Sequence, residues 1–280
     1  MGMTRRRILI ASSCLALALS CDGADRRPET RQISHDVGVQ AIRRDAAVRQ
    51  KPLVEGAALD AGAKQTKKVK PKRIGVIGDS ISTPTKRVRG LYPIMLEKIL
   101  KKADREASVT AYGMPGRTIV QIRNKFQAEM LGKGYDTVII QGGVNMIAYT
   151  VDFEKARQAF SDMVASAYSG GISNVLVLTV VPWAGYDGMR TEDKKRYRQK
   201  GLARTRDLNR WLLDREKGLR SLFPKAIVVD TSVLGDGLEF PAIKEGFDRG
   251  DGIHLSEGGN MRLAKLIEES ISAIRNEGGK

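Results

Sequence analysis

Serine, histidine and aspartate are the side chains from which an acyl-transfer site can be built, and this 280-residue chain offers few ways to combine them. Its histidines are His35 and His254, and its cysteines are Cys14 and Cys21. Beyond residue 72 only His254 remains, so an imidazole base there has one candidate. A thiolate nucleophile, a disulfide and a His- or Cys-based metal cluster are excluded from that part of the chain. Asp251 stands three residues before His254 in Asp251-Gly252-Ile253-His254, a short turn able to aim a carboxylate at the imidazole. Ser80 closes the stretch Arg73-Ile74-Gly75-Val76-Ile77-Gly78-Asp79-Ser80, a β-branched run that reads as a buried strand entering a turn. A serine at the end of such a strand, where a parallel sheet opens onto its ligand-binding edge, is a candidate nucleophile. Gly-Asp-Ser is also ordinary turn vocabulary, in which the Asp or Ser caps the next helix, and the turn alone leaves both readings open.

The segments between these residues predict how they are positioned. Leu91 to Lys102 reads as an amphipathic helix, and a short strand follows near Ala107 to Tyr112. After the turn 113–118, Ile119 to Leu131 is helical and Tyr135 to Ile140 forms a third strand, closing on Gln141-Gly142-Gly143-Val144-Asn145. Asp152 to Tyr168 predicts a helix, and the apolar run Val175 to Val181 a strand covered on both faces. A charged helical region from Thr191 to Lys217, a strand at Ala226 to Val229, a long loop holding Asp251 and His254, and a helix from Gly259 to Ala273 complete the chain. Strand and helix alternate five times, which predicts an α/β fold: three layers, with a doubly wound five-stranded parallel sheet flanked by helices. The turns bearing Ser80, Gly116 and Asn145 each follow a strand, so all three are expected at the carboxyl edge of one sheet. Trp211, at helical spacing with Leu208 and Leu212, is expected in the core.

The blocks Gly78-Asp79-Ser80-Ile81, Gly113-Met114-Pro115-Gly116, Gly143-Val144-Asn145 and Asp251-Gly252-Ile253-His254 resemble, in order and spacing, the four blocks of the SGNH (GDSL) hydrolases. The resemblance spans about Arg73 to the C-terminus. It implies Ser80 as nucleophile, His254 as general base and then acid, and Asp251 as the group that holds the imidazole in its tautomer. It implies an oxyanion hole from the Ser80 and Gly116 backbone N–H groups and the Asn145 side-chain amide, with no metal or organic cofactor. The serine is not in a Gly-x-Ser-x-Gly elbow, which disfavours an ordinary α/β-hydrolase. Three places depart from the family pattern: Met146 stands where Asp is usual, Ala111 where Asn is frequent, and Ile81 where Leu is usual. The first two remove side chains that would brace their loops.

The N-terminal part has a different character. Arg5-Arg6-Arg7 precedes an apolar run from Ile8 to Leu19, the plan of an export signal over residues 1–21. Ala18-Leu19-Ser20-Cys21 resembles a bacterial lipobox, which makes Cys21 the candidate acylated residue of a membrane-anchored lipoprotein; cleavage after Ala16-Leu17-Ala18 is the alternative. Thr4-Arg5-Arg6-Arg7-Ile8-Leu9 also resembles a twin-arginine signal. Residues 22–72 lack sustained apolar periodicity and predict a disordered basic tether, ahead of a hydrolase domain at 73–280. The net charge of +16 is concentrated early: residues 1–72 hold 15 Lys/Arg against 7 Asp/Glu, and the rest 33 against 25. That distribution suits export and tethering near anionic surfaces, and argues against nucleic acid as a partner.

These readings give an exported serine ester hydrolase of the periplasm or cell envelope, acting on a lipid or an acylated glycan. The rivals are an O-acyltransferase on an envelope polysaccharide and a non-catalytic module binding an anionic envelope polymer. The basic run Lys194 to Lys200 would serve the last, or would steer an anionic substrate; its plainer reading is a solvated helix face. Trp183 and Tyr186, after the fourth strand, are equally suited to a substrate wall or a core plug. Oligomeric state has no signature in the sequence.

Overall fold

The computed structural model describes residues 72–83, 90–103, 106–149, 152–183, 191–237 and 242–277, without side chains at 191, 193–200 and 275–277. The export signal with Cys21, the tether up to residue 71 and Tyr186 lie outside the described residues, as do the side chains of the run 194–200.

Five strands form one parallel sheet: β1 (Arg73–Gly78), β2 (Ser108–Gly113), β3 (Thr137–Ile140), β4 (Asn174–Leu178) and β5 (Ile227–Val229), in the order β2-β1-β3-β4-β5. The order reverses at β1, which has β2 on one side and β3 on the other, so the crevice where such sheets bind ligands opens above β1. Every residue of β3 and β4 is buried, as is β1 after Arg73, because helices cover both faces and the apolar runs need not alternate. The helices are α1 (Tyr92–Ala103), α2 (Ile119–Met130), α3 (Val144–Tyr149), α4 (Phe153–Ser169), α5 (Thr191–Leu213), α6 (Leu219–Leu222) and α7 (Glu257–Glu277). Helix α1 packs on α7, and α2 packs on α4. The architecture is the expected three-layer α/β fold. Among the described residues no helix is long and apolar enough to cross a membrane.

Local chemistry accounts for the element boundaries. Thr118 caps α2 reciprocally with Gln121, Asp152 caps α4 through the Lys155 N–H, and Pro93 sits in the first turn of α1, where its missing N–H is harmless. Several boundaries differ from the sequence reading: the charged helix ends at Leu213 and not Lys217, the last helix runs on to Glu277, and two further differences lie near the candidate site. Helix α3 fills six residues to which the sequence reading assigns no helix, since a glycine pair hides so short a helix from periodicity. Strand β4 ends at Leu178 instead of running to Val181, and there Asn209 of α5 takes over the pairing, accepting from the Val180 N–H at 2.7 Å and donating to its C=O at 2.9 Å.

The tryptophans divide. Trp183 is fully buried and plugs the core. Trp211, expected inside, is only half-buried at the core margin, where the Arg157 guanidinium stands 5.7 Å from its ring centroid; a polar helix face there lets the indole cover apolar surface while staying partly wet.

The sheet edge that carries the candidate site is tightly built. Gly78 and Gly113 end β1 and β2 as register partners, and Met114 extends the ladder by donating its N–H to the Gly78 C=O at 2.8 Å. A Cβ at Gly113 would lie 2.2 Å from the Thr83 Cα, on backbone that cannot swing aside. Gly113→Ala is therefore expected to cost about 3 kcal/mol, the upper part of the overpacking range. That corresponds to a fall in Tm of roughly 6–12 °C by calorimetry for a domain of this size. An unchanged Tm would contradict so tight a contact at Gly113.

Candidate active site

The turn after β1 caps a short helical turn and also presents the Ser80 hydroxyl to an imidazole, so its geometry is compatible with both readings open in the sequence. Asp79 is the cap: its Oδ1 accepts the Ile81 N–H at 3.0 Å and starts the 3-10 turn Ser80–Ser82. Ser80 is left facing the imidazole. His254 Nε2 lies 2.9 Å from Ser80 Oγ, and His254 Nδ1 lies 2.8 Å from Asp251 Oδ2. With the ring proton on Nδ1 and donated to Asp251, Nε2 is the acceptor for the Ser80 hydroxyl. The three groups are half-buried, within reach of solvent and of a substrate.

The loop that delivers His254 is held by hydrogen bonds along its own length. Asp251 Oδ1 accepts the Ile253 and His254 N–H groups at 3.0 and 2.7 Å, which leaves Oδ2 for the imidazole. Desolvation pushes the Asp251 carboxyl up, but the bonds from the His254 N–H, the His254 ring and the Ile253 N–H outweigh it, and the group is held below its ordinary value of 3.8. Asp248 does similar work one turn earlier, accepting the Gly250 and Gly252 N–H groups at 2.8 and 3.1 Å, while the Arg249 N–H reaches the His254 C=O at 2.9 Å. The sequence reading assigns Asp248 no role, although Asp-x-Gly is a recognisable Asx-turn pattern.

The other two predicted residues arrive at the same edge. Met114-Pro115-Gly116-Arg117 closes with the Arg117 N–H on the Met114 C=O at 3.2 Å; proline at the second place and glycine at φ +72° at the third are the marks of a type II turn. Among the described residues, its two chain neighbours aside, nothing lies within 4 Å of a Cβ built at Gly116, so the backbone angle, not crowding, calls for glycine. Asn145, in the first turn of α3, donates one Nδ2 hydrogen to the Arg117 C=O at 3.1 Å, and the second has no acceptor among the described residues. Asn145 thus ties the third block to the second, a brace that needs neither of the two side chains the family pattern would supply at 111 and 146. Among the described residues the Ser80 and Gly116 N–H groups have no hydrogen-bond acceptor.

Gln141 is a site-bearing residue that the sequence reading leaves without a role. It is buried at the end of β3, and its Oε1 accepts the Asp79 N–H at 3.2 Å and the Ser82 hydroxyl at 2.8 Å. A polar residue closing the run Thr137-Val138-Ile139-Ile140 was the available signal.

Asp79 itself is almost wholly buried, and burial pushes its carboxyl above the ordinary 3.8, against the opposing pull of the Ile81 N–H, Gln141 and His254. The raised value means that the unfolded chain releases this proton first as pH rises, so the folded state loses stability between 3.8 and the native value. Asp251 has the opposite sign: its contribution is present above 3.8 and is lost as pH falls through its depressed native value. Asp79→Asn keeps the Oδ1 cap and removes the titration. Urea unfolding of wild type and variant between pH 4 and 7 is expected to show a stability difference that shifts in favour of the variant with rising pH. A difference independent of pH would refute a raised Asp79.

No protein-family model and no curated protein sequence matches the chain. Solved structures do. A GDSL-like lipase from Bacteroides thetaiotaomicron superposes with a TM-score of 0.54 at 20% identity, over 73% of this chain and 92% of that one. The lipase/acylhydrolase from Enterococcus faecalis gives 0.54 at 21% identity, over 74% and 96%. A point variant of an acetyl xylan esterase from Geobacillus stearothermophilus gives 0.51 at 18% identity, over 73% and 96%. The four sequence blocks and the superpositions agree, and the fold of this chain is that of the GDSL-type (SGNH) hydrolases.

Proposed function

We propose that the protein is an exported serine ester hydrolase that works through an acyl-enzyme on a lipid or an acylated glycan. The observation that carries the reading is the continuous relay from Asp251 through His254 to Ser80, set beside two backbone N–H groups that have no acceptor among the described residues. His254 Nε2 takes the Ser80 proton as Oγ attacks the ester carbonyl carbon, and Asp251 stabilises the imidazolium that forms. The carbonyl oxygen gathers negative charge within reach of the Ser80 and Gly116 N–H groups and the remaining Asn145 hydrogen, donors fixed in place before the reaction begins. The C–O bond to the leaving alcohol then breaks, with His254 returning its proton to the alcohol oxygen. Water, deprotonated by the same nitrogen, releases the acid and restores Ser80.

The structural neighbours are named as lipases and as an acetyl xylan esterase, which supports the ester-hydrolase class and frames the choice of substrate. A screen of the purified full chain over p-nitrophenyl esters of increasing acyl length, beside labelling by a fluorophosphonate, tests the proposal. Hydrolysis with a stoichiometric adduct on Ser80 is expected. An acetyl preference points to glycan deacetylation and a long-chain preference to lipids, whereas a chain inert to every ester and to the label would support the polymer-binding rival. Transfer of acetyl to an added glycan in place of water would convert the reading to an acyltransferase. Anchoring at the envelope rests on residues 1–21, and mass spectrometry of the mature N-terminus, with or without an acylated Cys21, decides it.

A further inference from the structure

Behind the relay lies a second set of polar groups, all of them buried. Asp79, Ser82, Tyr92, Gln141 and Asn260 are each at most 1% exposed, and they come from four separate segments of the chain. Gln141 Oε1 accepts both the Asp79 N–H and the Ser82 hydroxyl. The Ser82 hydrogen is thereby committed, so the 2.8 Å contact between Ser82 Oγ and the Tyr92 hydroxyl has Tyr92 as donor. Burial pushes the Tyr92 phenol far up, which keeps that donor protonated. At its other end Tyr92 donates its backbone N–H to Asn260 Oδ1 at 3.0 Å, and Asn260 Nδ2 donates to the Leu255 and Ser256 C=O groups, each at 2.9 Å.

The chain of bonds therefore begins on the residue before the nucleophile and ends on the residue after the base. Gly78 makes room for it, since a Cβ there would lie 2.4 Å from both Gln141 Oε1 and Ser82 Oγ. Every bond has one sense of donation, and the amide, phenol and hydroxyl that carry it are buried, so breaking a link strands a polar group. A 2.9 Å contact between residues 174 apart in sequence needs such a brace, because the turn of Ser80 and the loop of His254 are on different elements.

We propose that Tyr92 and Asn260 are positioning residues that set the distance between Ser80 Oγ and His254 Nε2. The proposal rests on the serine-hydrolase reading. Misplacement of reacting groups by about 1 Å costs up to a hundredfold in rate, while leaving substrate contacts alone.

The test is steady-state kinetics of the full chain on a p-nitrophenyl ester, with active sites counted by fluorophosphonate titration and folding followed by circular dichroism. Tyr92→Phe removes one oxygen and keeps the ring; kcat per titrated site is expected to fall roughly tenfold, with KM within about twofold and the folded fraction unchanged. Asn260→Ala is expected to fall further, and because it can also impair folding, Tyr92→Phe is the deciding variant. An unchanged kcat, a change confined to KM, or a loss that tracks only the unfolded fraction would overturn the positioning role. An inert wild type would instead overturn the hydrolase reading, so the two failures are distinct.

Discussion

Replacing Ser80 by alanine is expected to lower ester turnover by about a millionfold, to the residue of catalysis that oxyanion donors and binding alone provide. The substitution removes only Oγ. The Ser80 N–H is retained, the turn is still capped by Asp79 at the Ile81 N–H, and the brace through Gln141 does not pass through the Ser80 side chain. The variant should therefore unfold at the wild-type temperature and bind substrate comparably, while forming no adduct with a fluorophosphonate. The measurement is kcat with intact-protein mass after labelling. Turnover equal to that of wild type would remove Ser80 from the chemistry, whatever the geometry around it.

Asp251→Asn is expected to reduce kcat by about ten-thousandfold without unfolding the loop. In the native loop Oδ1 holds the Ile253 and His254 N–H groups, and an asparagine oxygen at that place accepts the same two bonds. The difference falls on the second atom. Where Oδ2 accepts from His254 Nδ1, the variant offers an amide N–H, and the imidazole responds by taking its proton on Nε2. That nitrogen then points a hydrogen at Ser80 Oγ and cannot accept one. A large fall in kcat at constant KM and unchanged circular dichroism is the expected result. Activity within tenfold of wild type would mean that Asp251 serves the loop and not the imidazole.

Much of the site is legible in the sequence because the chain is so poor in the relevant side chains. One histidine beyond residue 72, an aspartate three places before it and glycine-bearing turns after apolar runs leave few other arrangements. The strands are legible for a related reason: a sheet covered on both faces demands continuous apolar segments, and β1, β3 and β4 are such segments. What escapes is of two kinds. Short elements under glycine pairs, such as α3, have too few residues to show a period. Polar residues that act through distant partners have no local pattern at all: Gln141, Ser82, Tyr92 and Asn260 each look ordinary in their own segments.

Periodicity, turn chemistry and spacing are local properties of the chain. They suffice for the parallel α/β class, the strand-end placement of Ser80, Gly116 and Asn145, and the pairing of Asp251 with His254 across one turn. Nothing local brings His254 Nε2 to within 2.9 Å of Ser80 Oγ, or sends Asn145 back to the Arg117 C=O. The same holds for Tyr92 and Asn260, which connect the two halves of the relay only once the core has assembled. Such contacts join residues 10 to 174 positions apart, and their lengths depend on how the helices seat on the sheet. Buried donors must find acceptors wherever packing puts them, and packing is a property of the whole core.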